Sequence, residues 1–187
     1  NGLMVNALAL GVAAAGLYCA GCLMGSRLVG VVSALFLVLS PVHRVAGSVL
    51  MTELAALALT LWAGVVVLDS LKRVGRWSGA GLVMGGVFLA LGNLSAPYTL
   101  TAVPFYGLLL WAHGRQVAGA WWKWRALLPG ALFAAGLAAV LGIWLARQQA
   151  ELGMATISTQ TGELLHGSTF PDGPLKQGQL ADWAEHF

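Results

Sequence analysis

Six apolar blocks separated by short polar intervals run along the chain: Leu3 to Met24, Leu28 to Leu39, Gly47 to Leu68, Gly79 to Leu94, Tyr98 to Ala112 and Ala126 to Ala146. Three have roughly the 20 residues that a helix needs to cross a ~30 Å hydrocarbon core. The three shorter ones suit tilted, re-entrant or neighbour-buried segments. "SAPY", Ser95 to Tyr98, sets Pro97 between the fourth and fifth blocks. Proline removes a helix donor and pushes the residue before it out of the α region, so two separate helices are expected there. The pattern predicts an all-α fold, a polytopic transmembrane helix bundle of about six membrane segments over residues 1–146. Beyond it, residues 147–187 read as an extracytoplasmic loop or the start of a soluble segment. There Thr156, Ser158, Thr159, Gln160, Thr161, Gly162 and Gly167 follow neither helix nor strand period.

Composition agrees with the pattern. Hydrophobic residues make up 58% of the 187 and charged residues 9%, too few to clothe a soluble domain in a polar shell. The net charge of +3 is not the footprint of a nucleic-acid binder, because its distribution is lopsided. Residues 1–146 hold eight Lys/Arg against two acids, whereas residues 147–187 hold two against five. Lys72, Arg73 and Arg76 in one interval and Arg115, Lys123 and Arg125 in another mark cytoplasmic loops. Alternation then puts Gly25 to Arg27 inside, and it puts the Ser40 to Gly47 loop, the Ser95 to Pro97 turn and residues 147–187 outside. A multi-pass protein of a bacterial inner membrane is expected. Trp77, Trp111, Trp121, Trp122 and Trp124 flank the inferred inside loops as an interfacial belt. The opening "NGLMVNALAL" has neither the basic start nor the cleavage site of a signal peptide, and an internal piece of a longer polytopic protein is expected.

Few residues carry chemistry. "CAGC", Cys19 to Cys22, is formally a C-x-x-C pair, but it lies inside an apolar helix with no second pair to complete a zinc site, so packing is the simpler account. Gly21 with Gly25, and Gly81 with Gly85, have the small-xxx-small spacing of closely approaching helices. "SPVHRVAGSVLMTE" places His43 and Arg44 in a short outside loop and Glu53 about two turns into the next helix. A carboxylate within the membrane costs about 2.5 to 3.5 kcal/mol and so is expected to line a polar cavity. Two cationic groups above that acid suit the phosphate of a lipid entering from the side. The bland alternatives are snorkelling for Arg44 and solvation for His43. The polar run after Arg147 reads equally as a substrate-binding lid or as a connection to a further domain.

Three segments carry a resemblance. "LFLVLSPVHRVAGSVLMTELAALALTLWAGVVVL" resembles the stretch of GT-C superfamily membrane glycosyltransferases in which a helix ends at Ser-Pro and Thr-Glu opens the next long one. "GLVMGGVFLALGNLSAPYTLTAVPFYGLLLW" is similar to their glycine-rich helix, polar break and return helix, and "LARQQAELGMATISTQTGELLHGSTFPDG" to their exit from the last core helix. The order spans most of residues 28–173. The resemblance, to protein O-mannosyltransferases and lipid A aminoarabinose transferases, implies a GT-C bundle that transfers a sugar from a polyprenyl-phosphate-linked donor to an acceptor protein, lipid or glycan on the outer face. It implies lipid-phosphate binding by His43, Arg44, Arg147, Ser158 and Thr159, with Glu53 and Asn93 lining the cavity. Pro41, Pro97, Gly162 and Gly167 also match. Family members often carry Thr-Arg-Pro at the break, where this chain has Ser95-Ala96-Pro97. The family's catalytic acid lies in a first outside loop to which nothing here corresponds, so it is expected upstream. A divalent metal requirement stays open, and no metal ligands are assigned. Membrane lipids are the other expected partners, and nucleic acid is not. The alternative is a secondary transporter or flippase-like carrier, although the two halves show no inverted repeat.

Overall fold

In the computed structural model of the protein, residues 2–41, 53–73, 76–118 and 124–152 are described. They are helical, with no strand among them. The elements are α1 (Gly2–Leu23), α2 (Arg27–Leu39), α3 (Glu53–Lys72), α4 (Arg76–Ser95), a 3₁₀ turn (Pro97–Ala102), α5 (Val103–Ala118) and α6 (Trp124–Leu152). Among the described residues four helices are long and apolar enough to cross a membrane: α1, α3, α4 and α6. At 1.5 Å per residue the 20 residues of α3 rise about 30 Å, a full hydrocarbon thickness, whereas the 13 of α2 rise only about 20 Å. The protein is therefore a helical membrane protein. The chain forms two units, Asn1–Trp144 and Leu145–Phe187.

The joints follow local chemistry. Glycine at position 25 has φ +98°, the left-handed conformation that ends a helix. Its N–H meets the Cys22 carbonyl at 3.1 Å and that of Ser26 meets the Gly21 carbonyl at 3.1 Å, which closes α1 in a Schellman turn. Ser26 then caps α2, its hydroxyl accepting from the Val29 N–H at 3.2 Å. Gly25 thus makes the turn and is not a packing glycine; a Cβ there would touch nothing within 4 Å. Gly21 does pack, against Gly30 of α2, where an added Cβ would run into the Gly30 backbone. At the other break, Ala96 is extended (φ −152°, ψ 109°), as the residue before proline should be, and Pro97 opens the 3₁₀ turn.

Helix α3 is the central element, packed against both α1 and α4. One core joins Ala58 of α3 to Ala13 of α1 and Leu37 of α2. A second joins Ala63 and Val67 of α3 to Leu82 and Leu89 of α4, Leu110 of α5 and Phe133 of α6. Glycines set the spacing of the second group, since lipid offers apolar side chains no hydrophobic drive to associate and close van der Waals packing must do so. A Cβ on Gly86 would strike the Phe133 carbonyl, and one on Gly136 the Val83 carbonyl, so α4 and α6 touch backbone to backbone. Gly81 and Gly85 pack on Ser70 and Val67 of α3, in keeping with their spacing.

Candidate functional site

The α3–α4 register places the polar residues. The two helices run antiparallel, with Gly81 against Ser70, Gly85 against Val67 and Gly92 against the Ala56 carbonyl. Extending that register sets Glu53, the first described residue of α3, level with the end of α4 and the Pro97 break. Around this end lie Thr60, Asn93, Ser95, Thr99 and Tyr106. Asn93 is fully buried, one position beyond Gly92 and on the stripe that carries Leu82, Gly86 and Leu89. Thr99, on the 3₁₀ turn, is buried too, and its hydroxyl has no hydrogen-bond partner among the described residues.

The neighbouring hydroxyls are engaged. Thr60 Oγ1 donates to the Ala56 carbonyl at 2.8 Å and Ser95 Oγ to that of Leu91 at 3.2 Å, each one turn back along its own helix. Tyr106 crosses between helices, its hydroxyl donating to the Thr60 carbonyl at 3.0 Å. That carbonyl is reachable because the residue one turn on is Gly64, whose missing Cβ would stand 3.1 Å from the Tyr106 oxygen. The Tyr106 ring stacks on Phe133, with centroids 5.3 Å apart. Breaking α4 at Pro97 therefore lets the return helix bring a tyrosine hydroxyl onto α3.

The structure brings two predicted site residues, Glu53 and Asn93, to one end of the α3–α4 pair. Asn93 is enclosed there. Glu53 is exposed, at the start of the described helix and not within an enclosed cavity. Arg147 belongs to the second unit, where it is exposed and pairs with Glu151 at 2.9 Å, an i, i+4 contact on α6. His43, Arg44, Ser158 and Thr159 lie outside the described residues. Of the tryptophan belt, the Trp111 side chain is 39% exposed on α5, with the Arg115 guanidinium 5.6 Å from its ring. Cys19 and Cys22 are free thiols, half-buried in α1.

Thr99 and Tyr106 are the polar residues that sequence reasoning missed, although a Thr and a Tyr flanking a proline break in an apolar block were a usable signal. Chemically, this end offers neutral hydroxyl and amide groups beside one exposed carboxylate, an arrangement fit to orient a polar ligand. Among the described residues no group of three or more His, Cys, Asp or Glu could hold a metal ion. No family model, no curated protein and no solved structure matches the chain.

Proposed function

We propose that the chain is the core of a GT-C-like membrane glycosyltransferase, with six membrane crossings, that moves a sugar from a polyprenyl-phosphate-linked donor to an acceptor on the outer face of a bacterial inner membrane. The observation that carries this reading is the order of three motif segments: the Ser-Pro and Thr-Glu pair, the glycine-rich helix with its polar proline break, and the Arg-containing exit. Their chemistry suits the reaction. A departing lipid phosphate needs cationic stabilisation, for which His43, Arg44 and Arg147 are the candidates, with Ser158 and Thr159 as further donors. Acceptor activation needs a base, the role that the resemblance gives to the acid of the family's first outside loop. Asn93 and Thr99, buried beside the break, provide polar contacts for a sugar hydroxyl, while Glu53 stands at the rim.

The test uses the full-length protein in native membranes with a radiolabelled polyprenyl-phosphate sugar. Arg44→Ala and Arg147→Ala should each lower transfer about 100-fold, the typical cost of losing one charge-stabilising donor. Unchanged transfer in both variants refutes the phosphate role. Altered solute uptake without sugar transfer favours the carrier.

A further inference from the structure

A second feature lies between α5 and α6. The helices meet closely at two levels. Near the α5–α6 connection a Cβ on Gly114 would strike the Ala126 carbonyl, and further along Tyr106 stacks on Phe133. Glycine and alanine on the facing sides leave a groove of about 310 Å³ lined by Gly107, Trp111, Leu127, Gly130, Ala131 and Ala134. Cβ atoms added at Gly107 or Gly130 would meet nothing within 4 Å, so these glycines leave space open and do not admit a neighbouring backbone.

The groove ends in positive charge. Trp111 lines it, and the exposed Arg115 guanidinium lies over the Trp111 ring at 5.6 Å, within cation–π range. The sequence from residue 113 to residue 125 adds His113, Lys123 and Arg125 and contains no acid.

The geometry points to a binding site for an anionic phospholipid, with an acyl chain laid in the α5–α6 groove and the phosphate at Arg115. An apolar chain ending in a negative headgroup complements an apolar groove ending in a cation. A second copy of the chain fits less well. Two copies inserted with the same sidedness would bring the exposed Arg115 of each to the same membrane level, like charge against like. The inference does not rest on the glycosyltransferase reading, because that reading uses neither Arg115 nor any residue lining the groove.

The experiment is native mass spectrometry of the full chain released from nanodiscs of mixed phosphatidylcholine and phosphatidylglycerol. The wild-type protein should retain phosphatidylglycerol preferentially. Arg115→Gln should reduce that preference about fivefold, the equivalent of ~1 kcal/mol for one basic residue at an anionic surface. Gly130→Leu, which projects into open space on an intact helix, should displace the bound lipid. Arg73→Gln, which removes an exposed cation just past the end of α3, should leave the preference as it is. An unchanged lipid ratio in Arg115→Gln overturns the site. So does a Gly130→Leu protein that keeps its phosphatidylglycerol but loses a dimer, since the groove would then belong to a second copy.

Discussion

The hydrogen bond from Tyr106 to the Thr60 carbonyl can be tested by a double-mutant cycle with Gly64. In Tyr106→Phe the Thr60 carbonyl keeps its helical bond from the Gly64 N–H, so no acceptor is orphaned and the 1–3 kcal/mol penalty of a buried unsatisfied group does not arise. The loss should be near the ~0.6 kcal/mol average for interhelical bonds in membranes, with ~1.7 as a ceiling. Gly64→Ala alone combines opposing effects. Helix preference favours alanine by about 1 kcal/mol, but the new Cβ stands 3.1 Å from the tyrosine oxygen, and the ring cannot retreat because it is stacked on Phe133. The net change should be zero or mildly destabilising. In the Tyr106→Phe background the oxygen is gone, the methyl group fills its space, and the full helical gain should appear. The predicted coupling is about 1 kcal/mol, read from reversible SDS unfolding in mixed micelles. If Gly64→Ala shifts stability equally in both backgrounds, within ~0.3 kcal/mol, the notch does not exist as described.

Other outcomes follow from the same contacts. Gly86→Ala and Gly136→Ala drive a methyl into a facing backbone carbonyl and should each cost about 1–3 kcal/mol in the same unfolding assay, whereas Gly142→Ala, with open space around it, should be neutral or stabilising by up to ~1 kcal/mol. Gly25→Ala forces a side chain into the left-handed region at φ +98° and should cost about 1–2 kcal/mol. Loss of the exposed i, i+4 pair with Glu151 in Arg147→Ala should by itself change stability by less than ~0.5 kcal/mol. A large loss of sugar transfer in that variant would therefore reflect the site and not the fold, as thermal melts of the same preparation can show.

Much of the architecture was legible because hydropathy follows helices that lipid must solvate. The block from Gly79 to Leu94 became α4, Arg76–Ser95, and the split at Pro97 was visible in the sequence. Blocks end where hydropathy ends, but helices end where hydrogen bonding does. Thus α6 continues past Ala146 to Leu152 through polar residues, aided by the Arg147–Glu151 pair. Pro129 does not stop α6: it lies in the second turn, and the helix continues past it at the cost of the bond to the residue 125 carbonyl. Glycine spacing identified Gly21, Gly81 and Gly85 as packing positions, yet spacing alone could not separate Gly25, whose φ is a property of the turn. Asn93 stood out as a polar residue in an apolar block, but its enclosure depends on the α3–α4 register, and so does the level of Glu53 at the edge of the bundle. Register is a property of two helices together, and a single hydropathy trace does not contain it.

That limit bears most on α3, which is apolar all round and so has no preferred face toward lipid. Its rotation must be fixed by something other than partitioning. Two polar ties do this. Trp62 Nε1 donates to the Val12 carbonyl of α1 at 3.0 Å, and Tyr106 of α5 donates to the Thr60 carbonyl of α3 at 3.0 Å. Both acceptors lie one turn before a glycine: Val12 before Gly16, where a Cβ would stand 3.5 Å from the indole nitrogen, and Thr60 before Gly64. The side chain that would normally shade the carbonyl is missing in each case, which leaves a notch for an aromatic donor. Turning α3 by one residue, about 100°, would break both ties at once, although the hydrophobic surface it presents would scarcely change. The rotation of α3 that aligns Gly92 with Ala56, and so assembles the polar end of the α3–α4 pair, is thus held by two aromatic donors and two absent side chains. Trp62→Phe should accordingly weaken the α1 tie by about 0.6 kcal/mol. Adding Tyr106→Phe should then loosen α3 enough to expose Asn93 to solvent exchange, whereas amides that stay equally protected in the double variant would show that packing alone sets the rotation.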